Sequence, residues 1–154
     1  MGRVEERLRE LGIEINAPPP PQGFYKHSVI SGNLMFISGQ LPIKGKELLY
    51  KGKVGKEVSV EEGALAARLA AINSLAVMKS ELGDLDKIRR IVKVTGYVAS
   101  ASGFNMQANV INGASELFYD AFGDIGRHAR AAVGVYELPL DCPVEIEVIA
   151  EISS

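Results

Sequence analysis

The chain has 154 residues, 47% of them hydrophobic and 23% charged, with a formal net charge of −2. That length suits one domain with a real core, and so small a charge carries no electrostatic footprint for nucleic acid or an anionic membrane. The single cysteine, Cys142, excludes an intramolecular disulfide. No apolar run approaches the length of a membrane span, and the charge-alternating N-terminus does not read as a signal peptide, so a cytoplasmic protein is expected. The two histidines, His27 and His128, have no Cys or Glu at ligand spacing, so no metal site is expected. Both histidines, like Cys142, read as non-catalytic.

In chain order, residues 3–11 predict a short helix with Val4, Leu8 and Leu11 on one side, stopped by Gly12. The run Pro18-Pro-Pro-Pro21 forces an extended linker. Residues 26–30 and 34–38 are apolar segments joined by Ser31-Gly32-Asn33, a hairpin signal. Leu34-Met-Phe-Ile37 is apolar on both faces, so both should be covered. Five lysines fall in residues 44–57, against Glu47 and Glu57; the stretch is Gly-rich and reads as a solvated loop. It is the only local support for contact with nucleic acid.

Ser59-Val-Glu-Glu62 has the form of a capping box. The helix it opens carries Leu65, Leu69, Ile72 and Ala76 at helical spacing, and its alanine-rich flank should lie close on a sheet. Residues 89–98 alternate as a strand with Val92, Val94 and Val98 on one face. Phe104, Ala108, Ile111, Ser115, Phe118 and Phe122 mark a second long helix. Asn112 sits within it, where asparagine has poor propensity and so hints at a role. Two more strands complete the order ββαβαββ, an α+β fold with two helices on one face of a sheet. The other face has no cover within the chain, so an obligate oligomer is expected.

The last two strands carry the chemistry. Arg130, Ala132 and Gly134 share a face of the first, leaving a guanidinium beside a strip of very small residues, which suits a small carboxylate. The alternative is a structural ion pair with Glu147 or Glu151. On the second strand Val144, Ile146, Val148, Ala150 and Ile152 form an apolar face, which forces Glu145 and Glu147 onto the other. There they are either solvated or catalytic. If the two strands form a hairpin, Glu145 lies opposite about residue 136, and Arg130 is roughly 20 Å away along its strand. A site using both would then draw on two subunits.

With these motifs in this order, the chain resembles the YjgF family, also called RidA or reactive intermediate deaminase, from about residue 18 to 152. The resemblance rests on Gly23-Phe24-Tyr25, on Phe36-Ile-Ser-Gly-Gln-Leu-Pro42, and on the block Arg130–Pro139 with Val144–Ala150. It implies a chorismate-mutase-like homotrimer with clefts between subunits, residues 1–17 being an N-terminal helical extension to a domain spanning 18–154. The implied activity is cofactor-free hydrolysis of amino-acid-derived enamines and imines to 2-oxo acids and ammonia, on a small carboxylate-bearing substrate. By position Arg130 matches the carboxylate-binding arginine and Glu145 the group that positions water. Tyr25 matches an aromatic cleft residue, and Ser38 and Gly39 the pocket wall, although Ser38 could equally end its strand. Asn112 matches an asparagine of the second helix. Ala132 stands where the family often has cysteine, keeping a backbone contact and removing any thiol role. The alternatives are a carboxylate-sensing trimer without turnover, or the RNA-cleaving, translation-inhibiting activity ascribed to some members.

Overall fold

The computed structural model describes residues 2–154, so Met1 of the expected N-terminal extension lies outside it. The elements run α1 (Arg3–Glu10), β1 (Ser28–Ser31), β2 (Leu34–Gln40), β3 (Ile43–Lys44), β4 (Glu47–Leu48), α2 (Val60–Leu82), β5 (Ile88–Ala99), α3 (Gln107–Phe122), β6 (Ala129–Val135) and β7 (Val144–Ile152). Three helices and a mixed sheet make this an α+β fold. The main sheet has the order β1-β2-β7-β5-β6, with β5 and β6 parallel and the other pairs antiparallel.

The predicted capping box is formed: Ser59 Oγ accepts from the Glu62 amide at 3.1 Å, and Glu62 Oε1 accepts from the Ser59 amide at 2.9 Å. The face that α2 buries differs from the leucine stripe expected. Ala66, Ala67, Ala70 and Ala71 are fully buried, whereas Leu65 remains 52% exposed. Small side chains win because α2 must lie close to both the sheet and α3. A Cβ on Gly113 of α3 would sit 2.0 Å from the Ala64 carbonyl oxygen.

The last two strands do not form a hairpin. β6 lies at the sheet edge beside β5, and β7 is inserted between β2 and β5. The fully apolar helix-facing row of β7, Val144 to Ile152, fits the sheet centre, where both neighbours and the helices cover it. The chain leaves β6 through a turn with Leu140 and Asp141 at φ 59 and 61, which directs it across the end of the sheet.

Three other expectations are corrected. The 44–57 segment is not simply solvated: it contains the β3–β4 hairpin, and Val54 and Val58 are core residues. Val92 lies off the core face, because the β5–β7 register shifts between Ile91 and Lys93; Ile88, Ile91, Val94 and Val98 are buried instead. Phe104 precedes α3 and packs on the core from the loop.

The short helix α1 is fixed to the domain. Val4 and Leu8 enter the common core, and the Asp86 carboxylate accepts from the Arg3 and Val4 amides, each at 2.9 Å. Those first-turn amides otherwise have no intrahelical partner. They also hold the Asp86 carboxyl below its usual pKa, the Val4 amide contributing most.

The sheet face away from the helices carries an apolar patch beside charged residues, Lys93 of β5 among them. Val29, Phe36 and Ile149 are cross-strand neighbours in one row. Val29 is 55% and Phe36 41% exposed, with Leu34 nearby on β2 in the same condition.

Candidate functional site

The predicted residues other than Tyr25 fall into two groups on opposite faces of the sheet. The first is built on β6 and α3. Arg130 projects toward the helix side, and its Nη1 donates to Asn112 Oδ1 at 2.8 Å and to Ser115 Oγ at 3.1 Å. Asn112 and Ser115 are three apart on α3 and so share a face. Neither Glu147 nor Glu151 approaches the guanidinium. Among the described residues Arg130 has no ion-pair partner, and it remains exposed. The ion-pair alternative is thereby excluded within this chain, and the poor helix former Asn112 has a concrete role in holding the arginine.

The strip of small residues beside Arg130 is not empty. A Cβ on Gly134 would lie 2.7 Å from Gln107 Nε2, and one on Gly96, the cross-strand neighbour of Ala132, would lie 2.4 Å from Ile111 Cδ1. Ala132 itself packs partly buried against the core. The small side chains admit α3 to the sheet edge, which brings Asn112 and Ser115 within reach of Arg130.

The second group faces the open side. Glu145 on β7 lies over the end of β2, where the register shifts between Ile37 and Gln40. A Cβ on Gly39 would be 2.0 Å from Glu145 Oε2, so only glycine leaves the carboxylate its place. Ser38 adjoins it, accepting from Gln40 Nε2 at 3.2 Å through both its carbonyl and its hydroxyl oxygen. Asn73 of α2 fixes the chain just beyond, donating to the Leu41 and Ile43 carbonyls at 2.8 and 2.9 Å.

Burial, and then the neighbouring Glu147, raise the Glu145 carboxyl above its ordinary pKa. Glu147 accepts a hydrogen bond from the Tyr97 hydroxyl. That bond contributes most to pushing the Tyr97 phenol up to about 12. Tyr25 belongs to neither group: it lies before β1, 52% exposed, edge-on to His27 at 6.5 Å between ring centroids.

His128 and Ser115, read from the sequence as bystanders, belong to the Arg130 group. His128 Nε2 lies 2.9 Å from Ser115 Oγ. The signals were present: Ser115 is three residues from Asn112, and His128 shares the alternation of Arg130. Cys142 is buried and its thiol is pushed up to about 12, chiefly by burial, so it is no nucleophile. Among the described residues no three His, Cys, Asp or Glu side chains converge as metal ligands, and no helix is long and apolar enough to cross a membrane.

This geometry stands on a fold with many relatives. The YjgF/chorismate-mutase-like family matches residues 5–152. The chain is 40% identical to Protein TCP17 of Trypanosoma cruzi, over 99% of its own length and 96% of that protein. It is 33% identical to a RutC family protein of Aquifex aeolicus, over 89% of its own length and 97% of the relative. A crystal structure of an Agrobacterium tumefaciens protein of unknown function superposes with a TM-score of 0.92 at 46% identity, covering 97% of this chain and 92% of that one. The chain therefore belongs to the YjgF/chorismate-mutase-like family.

Proposed function

We propose that this protein hydrolyses reactive enamines and imines derived from amino acids, releasing 2-oxo acids and ammonia, at clefts shared between the subunits of a homotrimer. The observation that carries the reading is Arg130: exposed, aimed by Asn112 and Ser115, and with no carboxylate paired to it among the described residues. A planar fork held in this way suits a substrate carboxylate. The apolar row of exposed Val29 and Phe36 with half-buried Ile149 supports an assembly that covers the open face.

In this reaction Arg130 clamps the α-carboxylate and fixes the C=N carbon beside a water. Glu145 of the neighbouring subunit orients that water and takes its proton as oxygen bonds to carbon. A carboxyl pKa raised by burial and Glu147 brings the group nearer the working pH of a general base. Glu145 hands the water proton to the imino nitrogen, giving a neutral carbinolamine; it then takes the hydroxyl proton as the carbonyl forms and passes it to nitrogen as the C–N bond breaks, so that ammonia leaves. Backbone amides near Ser38 and Ala132 hold the imino nitrogen, Gly39 keeps the space above Glu145 open, and Tyr25 lines the cleft. No activated nucleophile, metal or organic cofactor is required. The 1–17 segment is an extension of the 18–154 domain that buttresses α2 and α3 rather than entering the cleft.

The test generates imines from a panel of amino acids with an amino-acid oxidase and compares 2-oxo acid release with and without this protein. Acceleration on at least one imine supports the deaminase. Binding of 2-oxo acids with no acceleration on any imine replaces it with a carboxylate-sensing trimer.

A further inference from the structure

Hydrogen-bond accounting around Arg130 leads to a relay. His128 Nδ1 lies 2.7 Å from the Gly126 carbonyl oxygen. A carbonyl only accepts, so Nδ1 carries the proton. In the neutral ring Nε2 is then an acceptor, and Ser115 Oγ at 2.9 Å must donate to it. That commits the only proton of the hydroxyl and turns its lone pairs toward Arg130 Nη1 at 3.1 Å. The same Nη1 donates to Asn112 Oδ1 at 2.8 Å, so a chain of defined polarity runs from the Gly126 backbone to the guanidinium.

We propose that Ser115 and His128 are positioning residues for Arg130: neutral His128 orients the Ser115 hydroxyl, and Ser115 with Asn112 sets the plane of the guanidinium for an incoming carboxylate. The part concerning the carboxylate rests on the proposed role of Arg130; the orientation of the guanidinium does not. The ring is fixed from each side. Phe118 of α3 meets it edge-on, with centroids 5.8 Å apart. The turn preceding β6 supplies the Gly126 carbonyl, and β6 supplies Arg130, the charged group that acts on it. Asp124 and Arg127 of the same turn pair with each other at the surface, 3.7 Å apart. Burial is the largest influence on the His128 pKa and, with the Arg130 charge, outweighs the opposing Gly126 hydrogen bond to lower it, which favours the neutral ring. A protonated ring would present a donor to Ser115, reversing that one bond and freeing the hydroxyl proton to turn toward Arg130.

The experiment reads orientation and binding separately. Nitrogen NMR of the folded protein reports the His128 tautomer, and side-chain NMR reports rotation of the Arg130 guanidinium with no ligand present. Pyruvate, as a small carboxylate probe, reports affinity. The expected results are an Nδ1–H tautomer in the wild type, faster guanidinium rotation in Ser115→Ala, and pyruvate binding weaker by about tenfold in that variant. His128→Phe weakens binding similarly, and His128→Gln, whose amide oxygen offers a non-titrating acceptor, recovers part of the loss. An Nε2–H tautomer overturns the proposal, as does guanidinium rotation unchanged in Ser115→Ala. Faster rotation in Ser115→Ala with no pyruvate binding by any form confirms the positioning and refutes the carboxylate role of Arg130 instead.

Discussion

Arg130 and Glu145 stand on opposite faces of one sheet. Arg130 is level with Val94 of β5, and Val94 with Val148 of β7, so Glu145 lies two strands across and three positions along. Their Cα atoms are roughly 14 Å apart by standard strand spacings. The guanidinium turns toward α3 and the carboxylate toward the open face. One chain therefore cannot bring the two groups together. A working cleft of the proposed kind exists only if one subunit brings its β6 edge against the open face of the next.

Arg130→Ala is expected to lower kcat/KM on a 2-imino acid at least roughly a hundredfold, the loss of about 3 kcal/mol of charge-assisted hydrogen bonding. Lys should rescue poorly, since it keeps the charge without the fork. Arg130 is exposed, so thermal melting and the assembly state should change little. Unfolding of the variant, with unaltered activity per folded molecule, would show a structural arginine.

Glu145→Gln is expected to abolish turnover and to stabilise the protein at neutral pH. The folded-state pKa of Glu145 is raised above its ordinary 4.5. The stabilising contribution of its protonated form is thus present below pH 4.5 and lost as pH rises through the folded value. At pH 7 the ionised carboxylate weakens the fold, and glutamine removes that cost. Melting curves across this range should show the variant's advantage shrinking as the pH falls. An advantage independent of pH would contradict the shifted pKa.

Gly39→Ala tests the placement of the carboxylate without touching it. The new methyl would lie 2.0 Å from Glu145 Oε2, so the flexible side chain must move aside. Because the acid swings away while Arg130 is untouched, kcat should fall at least about tenfold and KM much less. A wild-type kcat would mean that Glu145 does not act from the position it holds here.

Asp86→Ala should loosen α1. Its carboxylate caps the Arg3 and Val4 amides, so the loss is expected to be about 1–2 kcal/mol in denaturant melts, with faster hydrogen exchange across residues 3–10. The folded pKa of Asp86 lies below its ordinary 3.8, so the cap's contribution is full above that value and fades as pH falls through the folded one. Unchanged exchange would show that Val4 and Leu8 alone hold the helix.

The helices and the strands of the main sheet were legible in the sequence because their signals are local, whereas the short β3–β4 hairpin was read as loop. The Ser59–Glu62 box and the alternation of β7 each act within a few residues. The position of β7 between β2 and β5 was not legible as a pairing, since a turn near Pro139 permits either a hairpin or a crossing. Even so, the separation of Arg130 from Glu145 survives the correction, because it follows from which side chains face the helices. The alanines of α2 were read as a flank when they are its buried face, a consequence of the backbone approach at Gly113. His128 and Ser115 were not read as site residues: their spacing from Asn112 and Arg130 was visible, but the turn carbonyl that fixes the His128 ring is recorded by no side-chain pattern.

Mixing the Arg130→Ala and Glu145→Ala variants by unfolding and reassembly tests the shared cleft most directly. Each pure variant should be inactive. If every cleft takes its arginine from one subunit and its glutamate from the next, random trimers from equal parts restore both residues in about a quarter of clefts. The mixture should then recover about that fraction of the wild-type rate. No recovery, with subunit exchange verified by mass, would contradict the shared cleft.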